Sequence, residues 1–170
     1  MRRAKRECKN EVAAAKTETK TSPFCVLCVR HSSSQDDPMT ENEIAKIIVD
    51  EAFHIHTNLG PGLLETVHGV VLAHEQRKHG LTVEREVPTS IIYDELKFDV
   101  GFRADVIVEN RVIIELKSVE TLMPVHSKQL LTQLRLSNRQ LGLLINFGEL
   151  HLKNGIKRVV NGLPDEPTTI

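Results

Sequence analysis

The stretch from Gly101 to Ser118, GFRADVIVENRVIIELKS, constrains the fold of this chain more than any other. It contains an apolar run from Phe102 to Val108, a polar turn at Glu109-Asn110-Arg111 and a second apolar run from Val112 to Leu116. Two apolar runs joined by so short a polar turn predict a β-hairpin. We therefore expect the rest of the chain to be arranged around this hairpin.

Three charged residues interrupt the two apolar strands: Asp105, Glu115 and Lys117. Because side chains alternate between the faces of a strand, Glu115 and Lys117 share one face and Leu116 lies on the other. Pairing of the strands would bring Asp105 near Glu115. Two carboxylates beside an ammonium suit a hard divalent cation such as Mg²⁺, with the lysine orienting or activating a water for attack on a phosphodiester. The alternative is three ordinary surface charges, but burying charge without a partner is costly, which favours the metal site.

The composition is that of one globular domain. The chain has 170 residues, of which 40% are hydrophobic and 26% are charged, enough for a single domain with its own core. A formal net charge of −1 gives no overall basic field, so a nucleic acid would have to bind a local basic patch. No apolar run approaches the length that spans a bilayer, so we predict no membrane association.

All three cysteines lie at the start of the chain, at Cys8, Cys25 and Cys28. The rest of the chain has none, which fits a cytoplasmic protein whose fold needs no disulfides. Cys25 and Cys28 form a CxxC pair, which is half of a zinc site, but no second Cys/His pair follows at ligand spacing.

The segment before Met39 differs from the rest of the chain. A basic start is followed by small, polar and turn-forming residues, a composition typical of disorder. Met39 directly precedes a helix start, with Thr40 as the N-cap and Glu43 at the capping-box position. We therefore expect either a disordered extension or a true start at Met39. The predicted division is an extension over 1–38, a domain over 39–163 and a tail over 164–170.

Apolar residues at helical spacing predict three helices. These helices run from Glu43 to His56, from Leu63 to Lys78 and from Val125 to Asn138. Gly60 is expected to end the first helix and Pro61 to begin the second.

Shorter apolar runs predict the remaining strands. They cover Leu81–Val87, Ile91–Tyr93 and Leu96–Val100, divided by Pro88 and by an Asp94-Glu95 turn. The continuous run from Leu141 to Phe147 predicts a buried strand, and His151–Val160 a last strand or turn. The order of elements predicts an α/β fold with a mixed β-sheet flanked by helices.

The D-x(n)-E-x-K core between two strands, followed by a helix and a buried strand, resembles the PD-(D/E)XK nuclease superfamily. The chain resembles more closely the small bacterial GxxExxY family within it. The matching stretches are LGPGLLETVH (59–68), FRADVIVENRVIIELKSVE (102–120), PVHSKQLLTQLRL (124–136), LLINFG (143–148) and NGIKRVVNG (154–162). The resemblance implies a restriction-endonuclease-like core and a metal-dependent nuclease.

Carried onto this sequence, the resemblance implies that Asp105 and Glu115 bind Mg²⁺ or Mn²⁺ and that Lys117 is the catalytic lysine. Glu65, the acid of GxxE, would complete the metal site. The backbone carbonyl of Leu116 is a further expected ligand, because it lies between the two key side chains.

Four residues are expected to position the substrate: Gln129, Gln133, His68 and Arg103. The resemblance implies that Gln129 matches a glutamine that follows the core in RecB-like nucleases. The sequence departs from the family pattern twice, since His68 replaces the tyrosine of GxxExxY and Gln133 replaces the tyrosine of a QxxxY pattern. Both replacements still form hydrogen bonds.

Other polar residues have plainer interpretations. Arg103, with the helix residues Lys128, Arg135 and Arg139, would give a rim for phosphates, although a solvated helix face explains the last three equally well. The histidines from His54 to His79 are predicted to face mostly solvent. With no tryptophan and one tyrosine in the chain, stacking of bases on aromatic side chains is not expected.

The leading hypothesis is a metal-dependent nuclease that acts on DNA or RNA, with a homodimer as one way to hold a long substrate. The second is a non-catalytic relative of the same fold that acts as a binding or assembly module. A third is a structural protein that uses the N-terminal CxxC for interactions.

Overall fold

Residues 38–163, the part of the chain that this computed structural model describes, form a five-stranded sheet with helices on both faces. The helices are α1 (Glu41–Leu59), α2 (Glu65–Lys78), α3 (Pro124–Leu136) and the short α4 (Leu152–Gly155). The strands are β1 (Val83–Tyr93), β2 (Leu96–Val108), β3 (Val112–Lys117), β4 (Leu141–Asn146) and β5 (Ile156–Val160). The CxxC pair, the tail over 164–170 and all but the last residue of the predicted extension lie outside the described residues.

The strands lie in the sheet in the order of the sequence, β1-β2-β3-β4-β5. Every neighbouring pair is antiparallel except β3 and β4, which are parallel and joined through α3. A parallel pair needs such a crossover, because a tight turn can only reverse the chain. The predicted α/β fold with a mixed sheet and flanking helices is confirmed.

The hairpin of β2 and β3 has the predicted position. Val106 pairs with Ile114 and Val108 with Val112, and the turn between them has Glu109 at φ 52° and Asn110 at φ 54°. Two consecutive residues with positive φ match the right-handed twist of paired strands.

The predicted division into three short strands before the hairpin is wrong. β1 and β2 are two long strands that run past Pro88 and Val100. Pro88 belongs to β1, an edge strand of the sheet, and lies opposite Arg103 of β2. An edge strand tolerates proline because one of its sides needs no backbone donor.

The ends of the first two helices differ in how well the sequence indicates them. The capping box at α1 is confirmed, since the Glu43 backbone N–H donates to Thr40 Oγ1 at 3.3 Å and Thr40 N–H donates to Glu43 Oε2 at 2.7 Å. Gly60 ends α1 as predicted. The second helix begins at Glu65 and not at Pro61, because Gly62 has φ 105°, a conformation that no helix contains.

Two apolar clusters fill the two faces of the sheet, and both long strands switch faces between them. The first cluster packs α1 and α2 against Val106, and the second packs α3 against Ala104, only two residues away on the same strand. Strict alternation would place these two side chains on one face. The switch occurs at Asp105, opposite Glu86, which has φ 51°.

None of the helices within residues 38–163 is both long and apolar enough to cross a membrane.

Candidate active site

Asp105 lies where β2 and β3 stop pairing. The last aligned pair toward this end is Val106 with Ile114, and the Asp105 carboxylate continues the connection by accepting the Leu116 backbone N–H on Oδ2 at 2.8 Å. In a strand, the N–H and C=O of one residue point to the same side, so the Leu116 carbonyl also points toward β2. The Asp105 carboxylate is therefore fixed in the space that opens where the two strands separate.

Glu115 and Lys117 form an ion pair on β3. Lys117 Nζ donates to Glu115 Oε1 at 2.7 Å, and the two side chains are only 18% and 11% exposed. Gln133 of α3 donates through Nε2 to the other oxygen, Oε2, at 3.1 Å. Both oxygens of Glu115 are therefore held by protein donors.

Glu65 joins the first turn of α2 to the end of β3. Its Oε1 accepts the Ser118 backbone N–H at 3.0 Å, while Ser118 Oγ donates to the Leu63 carbonyl at 2.9 Å. These two bonds fix the loop that precedes α2 against the residue that follows Lys117.

The four charged side chains line two separate hollows. Asp105 and Glu65 line a cavity of about 70 Å³ together with Leu116 and Arg85. Glu115 and Lys117 line a larger pocket of about 530 Å³, between β2 and α3.

Asp105 and Glu115 line different hollows in these side-chain positions, so their joint role at one metal stays a prediction. Among residues 38–163, no three metal-ligating side chains are close enough to hold one ion. The switch of faces at Asp105 explains the difference, because it turns this carboxylate toward α2.

The charges nevertheless influence one another. Burial and the negative charge of Glu115 raise the pKa of Asp105 to about 6, against the opposing effects of the Leu116 N–H and Lys117. Burial acts to lower the pKa of Lys117, but the hydrogen bond and charge of Glu115, with Asp105 and Glu65, outweigh it and raise that pKa. Lys117 is thus a stable cation among three carboxylates.

Comparison with protein-family models gives a match over residues 42–159, more than half of the chain, to a model described as PD-(D/E)XK nuclease superfamily. The chain belongs to the PD-(D/E)XK nuclease superfamily. Searches of curated proteins and of solved structures find no significant match. Membership of this superfamily implies nucleic acid as the partner and makes a divalent metal the expected cofactor.

The donors suit such a metal in kind. Hard divalent cations take carboxylate and carbonyl oxygens, which Asp105, Glu65, Glu115 and Leu116 supply. Each carboxylate oxygen has two lone pairs, so the protein hydrogen bonds leave acceptor capacity on each side chain. Burial and, after it, the negative charge of Glu115 raise the pKa of Asp105, and a bound cation would favour its charged form.

The four residues predicted to position the substrate of this PD-(D/E)XK protein do not lie together. Gln129 and Gln133 line the larger pocket beside Glu115 and Lys117. Arg103 is 60% exposed and lies 3.8 Å from Glu86 Oε2, near the smaller cavity.

His68 is placed differently from the prediction. It has no exposed surface, and its ring stacks on Phe147 with centroids 4.2 Å apart. Neither ring nitrogen has a hydrogen-bond partner among the described residues, and burial lowers the pKa of His68. In this conformation His68 cannot touch a substrate. The prediction that this histidine faces solvent is also wrong, because the face of α2 that carries His68 packs onto the sheet. His54, His74 and His79 are exposed as predicted.

Two residues near the site were not foreseen. Asn146, fully buried, accepts the Val119 N–H at 2.9 Å and the Gly148 N–H at 3.1 Å, and it donates to the Val119 carbonyl at 2.7 Å. It fastens the loop after Lys117 to the end of β4, and the one polar side chain in an apolar run was the available signal. Arg85 lines the small cavity with Asp105, and nothing in the sequence near it indicated that position.

Proposed function

We propose that this protein is a divalent-metal-dependent nuclease that hydrolyses phosphodiester bonds of DNA or RNA, of the GxxExxY type within the superfamily. The observation that carries the proposal is the ion pair of Lys117 Nζ with Glu115 Oε1 at 2.7 Å, beside Asp105 at the end of the hairpin. A cation and carboxylates at the mouth of a pocket provide the charges that phosphodiester hydrolysis needs.

Asp105, Glu65, Glu115 and the Leu116 carbonyl are the groups that would hold Mg²⁺ or Mn²⁺. When bound, the metal supplies Lewis-acid stabilisation of the phosphate and lowers the pKa of a water nucleophile. Lys117 and Gln133 each donate to one oxygen of Glu115, so a cation bound by Glu115 would share these oxygens with protein donors.

Lys117 contributes positive charge and three donor hydrogens at the pocket wall. Because its pKa is raised, it stays protonated at neutral pH and acts by stabilising negative charge and orienting water, not by removing a proton. The Leu116 N–H, the Ser118 N–H and Gln133 Nε2 hold the three carboxylates in place for this task.

Each residue that matches the GxxExxY motif has a structural role in the local geometry. Gly62 has φ 105°, which favours glycine, and Glu65 begins α2 with its carboxylate on the Ser118 N–H. His68 occupies the aromatic position of the motif and stacks on Phe147. These contacts support assignment to the GxxExxY type.

A cleavage assay in Mg²⁺, Mn²⁺ or EDTA on mixed DNA and RNA tests the proposal. Asp105→Asn and Lys117→Met should lose metal-dependent cleavage, whereas Asp99→Asn and Lys153→Ala, which change exposed charges of the same kinds, should retain it. Cleavage that persists in Asp105→Asn and Lys117→Met would contradict the assignment of the site.

A non-catalytic binding module is the second candidate, favoured by the complete engagement of the Glu115 oxygens by protein donors. Absence of cleavage by the wild type, with no heat of Mg²⁺ binding in calorimetry, would contradict the nuclease and favour that alternative. The homodimer and the cytoplasmic location stay predictions, which light scattering and cell fractionation would test.

A further inference from the structure

The lining of the larger pocket combines three kinds of group. Glu115, Lys117 and Lys128 are charged. Gln129, Thr132 and Gln133 supply amide and hydroxyl groups. Phe102 of β2 and Leu136 of α3 are apolar, and Gly101 adds only backbone.

A phosphodiester explains only the charged part of this lining. Phosphate oxygens accept hydrogen bonds and ion-pair with ammonium groups, but they gain nothing from a phenyl ring or a leucine side chain. A pocket of about 530 Å³ whose lining includes two apolar side chains has the size and composition of a site for a small organic group. In a nucleic acid, the group with an apolar face and polar edges is the base.

The hydrogen-bonding state of Gln133 points the same way. Its Nε2 is committed to Glu115, and its Oε1 is buried without any partner among the described residues. A buried acceptor without a donor is unfavourable by roughly 1–3 kcal/mol. A phosphodiester has no N–H to offer, whereas the pairing edge of an unpaired base does. Oε1 lies behind the pocket surface, so the side chain must turn slightly to meet that donor.

We propose that this pocket binds one unpaired nucleobase against Phe102 and Leu136, so the substrate is single-stranded nucleic acid or a strand with a base outside the helix. The inference rests on the proposed function, because the base lies beside the group that would be cleaved. A base can enter such a pocket only when it is unstacked and unpaired. The sparse aromatic content of the sequence gave no sign of this, since a single phenylalanine provides the stacking surface.

The test measures binding without cleavage, with the full chain in EDTA and fluorescence anisotropy as the readout. The probes are a single-stranded DNA 12-mer, its RNA counterpart, the same DNA strand with abasic sites, and a duplex. Loss of one stacked base should weaken binding by about fivefold or more, so both single strands should bind at least that much more tightly than the abasic strand and the duplex.

Two variants and a matched control locate the effect. Phe102→Ala and Leu136→Ala should each weaken binding of the single strand and leave binding of the abasic strand unchanged. Leu136 is 46% exposed, so its truncation keeps the test valid if Phe102→Ala fails to fold. Val100→Ala removes an exposed apolar side chain from the same strand as Phe102, outside the pocket, and should change nothing.

Metal-dependent cleavage with equal binding of base-bearing and abasic strands would overturn the base pocket and leave the proposed function intact. Base-dependent binding without cleavage under any metal would support the pocket and overturn the proposed nuclease. If neither variant weakens binding of the single strand, the pocket inference is overturned irrespective of cleavage.

Discussion

Lys117 is the residue on which the chemistry of the proposed site should depend most. A lysine near three carboxylates offsets part of their negative charge when no metal is present. Its bond to Glu115 at 2.7 Å also means that a divalent cation competes with an ammonium for the same oxygen. The metal affinity of the protein should therefore depend on this lysine as well as on the ligands.

Asp105 gives the stability of the metal-free protein a pH dependence. Its pKa in the folded state, about 6, is above the ordinary value of 3.8, so its contribution to stability is fully present below pH 3.8 and is lost as pH rises through 6. Asp105→Asn retains an acceptor for the Leu116 N–H and removes the charge. In EDTA, the free energy of unfolding of the variant, relative to the wild type, should increase between about pH 4 and pH 7.

Urea denaturation at several pH values measures this difference. Asp99→Asn is the matched control, because it makes the same substitution at an exposed position of the same strand. A difference between wild type and Asp105→Asn that does not vary with pH would contradict the raised pKa.

Asn146 should be essential for the loop that follows Lys117. Asn146→Ala leaves the N–H groups of Val119 and Gly148 and the Val119 carbonyl without their partners. Unsatisfied buried groups of this kind cost about 2–4 kcal/mol together, which chemical denaturation would measure as a loss of unfolding free energy. Asn154→Ala, at an exposed position of α4, should cost little. Equal effects of the two substitutions would show that the loop is held by other contacts.

Single residues of the site were predictable where they broke an apolar pattern. Asp105, Glu115 and Lys117 were identified because charge inside an apolar strand needs a reason. His68 was misjudged because the face of α2 that becomes buried depends on packing against Phe147, 79 positions later in the chain. Arg85 shows the same limit, since its place beside Asp105 depends on the pairing of β1 with β2.

At the level of elements, local signals were reliable and long-range pairing was not. The capping box of α1, the β2–β3 turn and the buried strand β4 all have short sequence signals. The length of β1 has no such sequence signal, because Pro88 can lie within this strand only if β1 is at the edge of the sheet. The switch of faces at Asp105 likewise depends on a partner residue, Glu86, and it decides which hollow the carboxylate enters.

The packing of α3 on β4 should tolerate no added atom at Gly142. A Cβ there would lie 2.9 Å from Cγ and Cδ1 of Leu130, in the second cluster. Gly142→Ala should therefore lower the free energy of unfolding by about 1–3 kcal/mol and displace α3, which carries Gln129 and Gln133.

A double-mutant cycle separates this clash from any general effect of alanine on the strand. Leu130→Ala removes the atoms that collide, so the double variant should be less destabilised than the sum of the single variants. Additive costs, measured by denaturation, would show that Leu130 is not the obstacle.

For the whole molecule, a net charge of −1 gives no overall basic field, so a bound nucleic acid would depend on local cations. Lys117 and Lys128 line the larger pocket, and Arg85 lines the smaller cavity. Three phosphate contacts predict that log K for a single strand falls against log salt with a slope of about −2.

Anisotropy titrations between about 50 and 200 mM salt would give this slope. Deletion of residues 1–38, which include a basic start, should leave the slope unchanged. If the full chain gave a slope steeper than about −5 and the deletion abolished it, residues 1–38 would make the main contact with nucleic acid, and the prediction would be contradicted.

The paired strands β1 and β2 extend to an exposed end, where Tyr93 is 74% and Leu96 is 61% exposed. A single break in the chain between these residues would leave Glu65 on one piece and Asp105, Glu115 and Lys117 on the other. The edges of β1 and β2 would still match along most of their length, so the pieces have a surface on which to rejoin. The turn between β1 and β2 is therefore a position at which division of the chain separates Glu65 from the other three charged residues, and reassociation of the two pieces would restore the complete set.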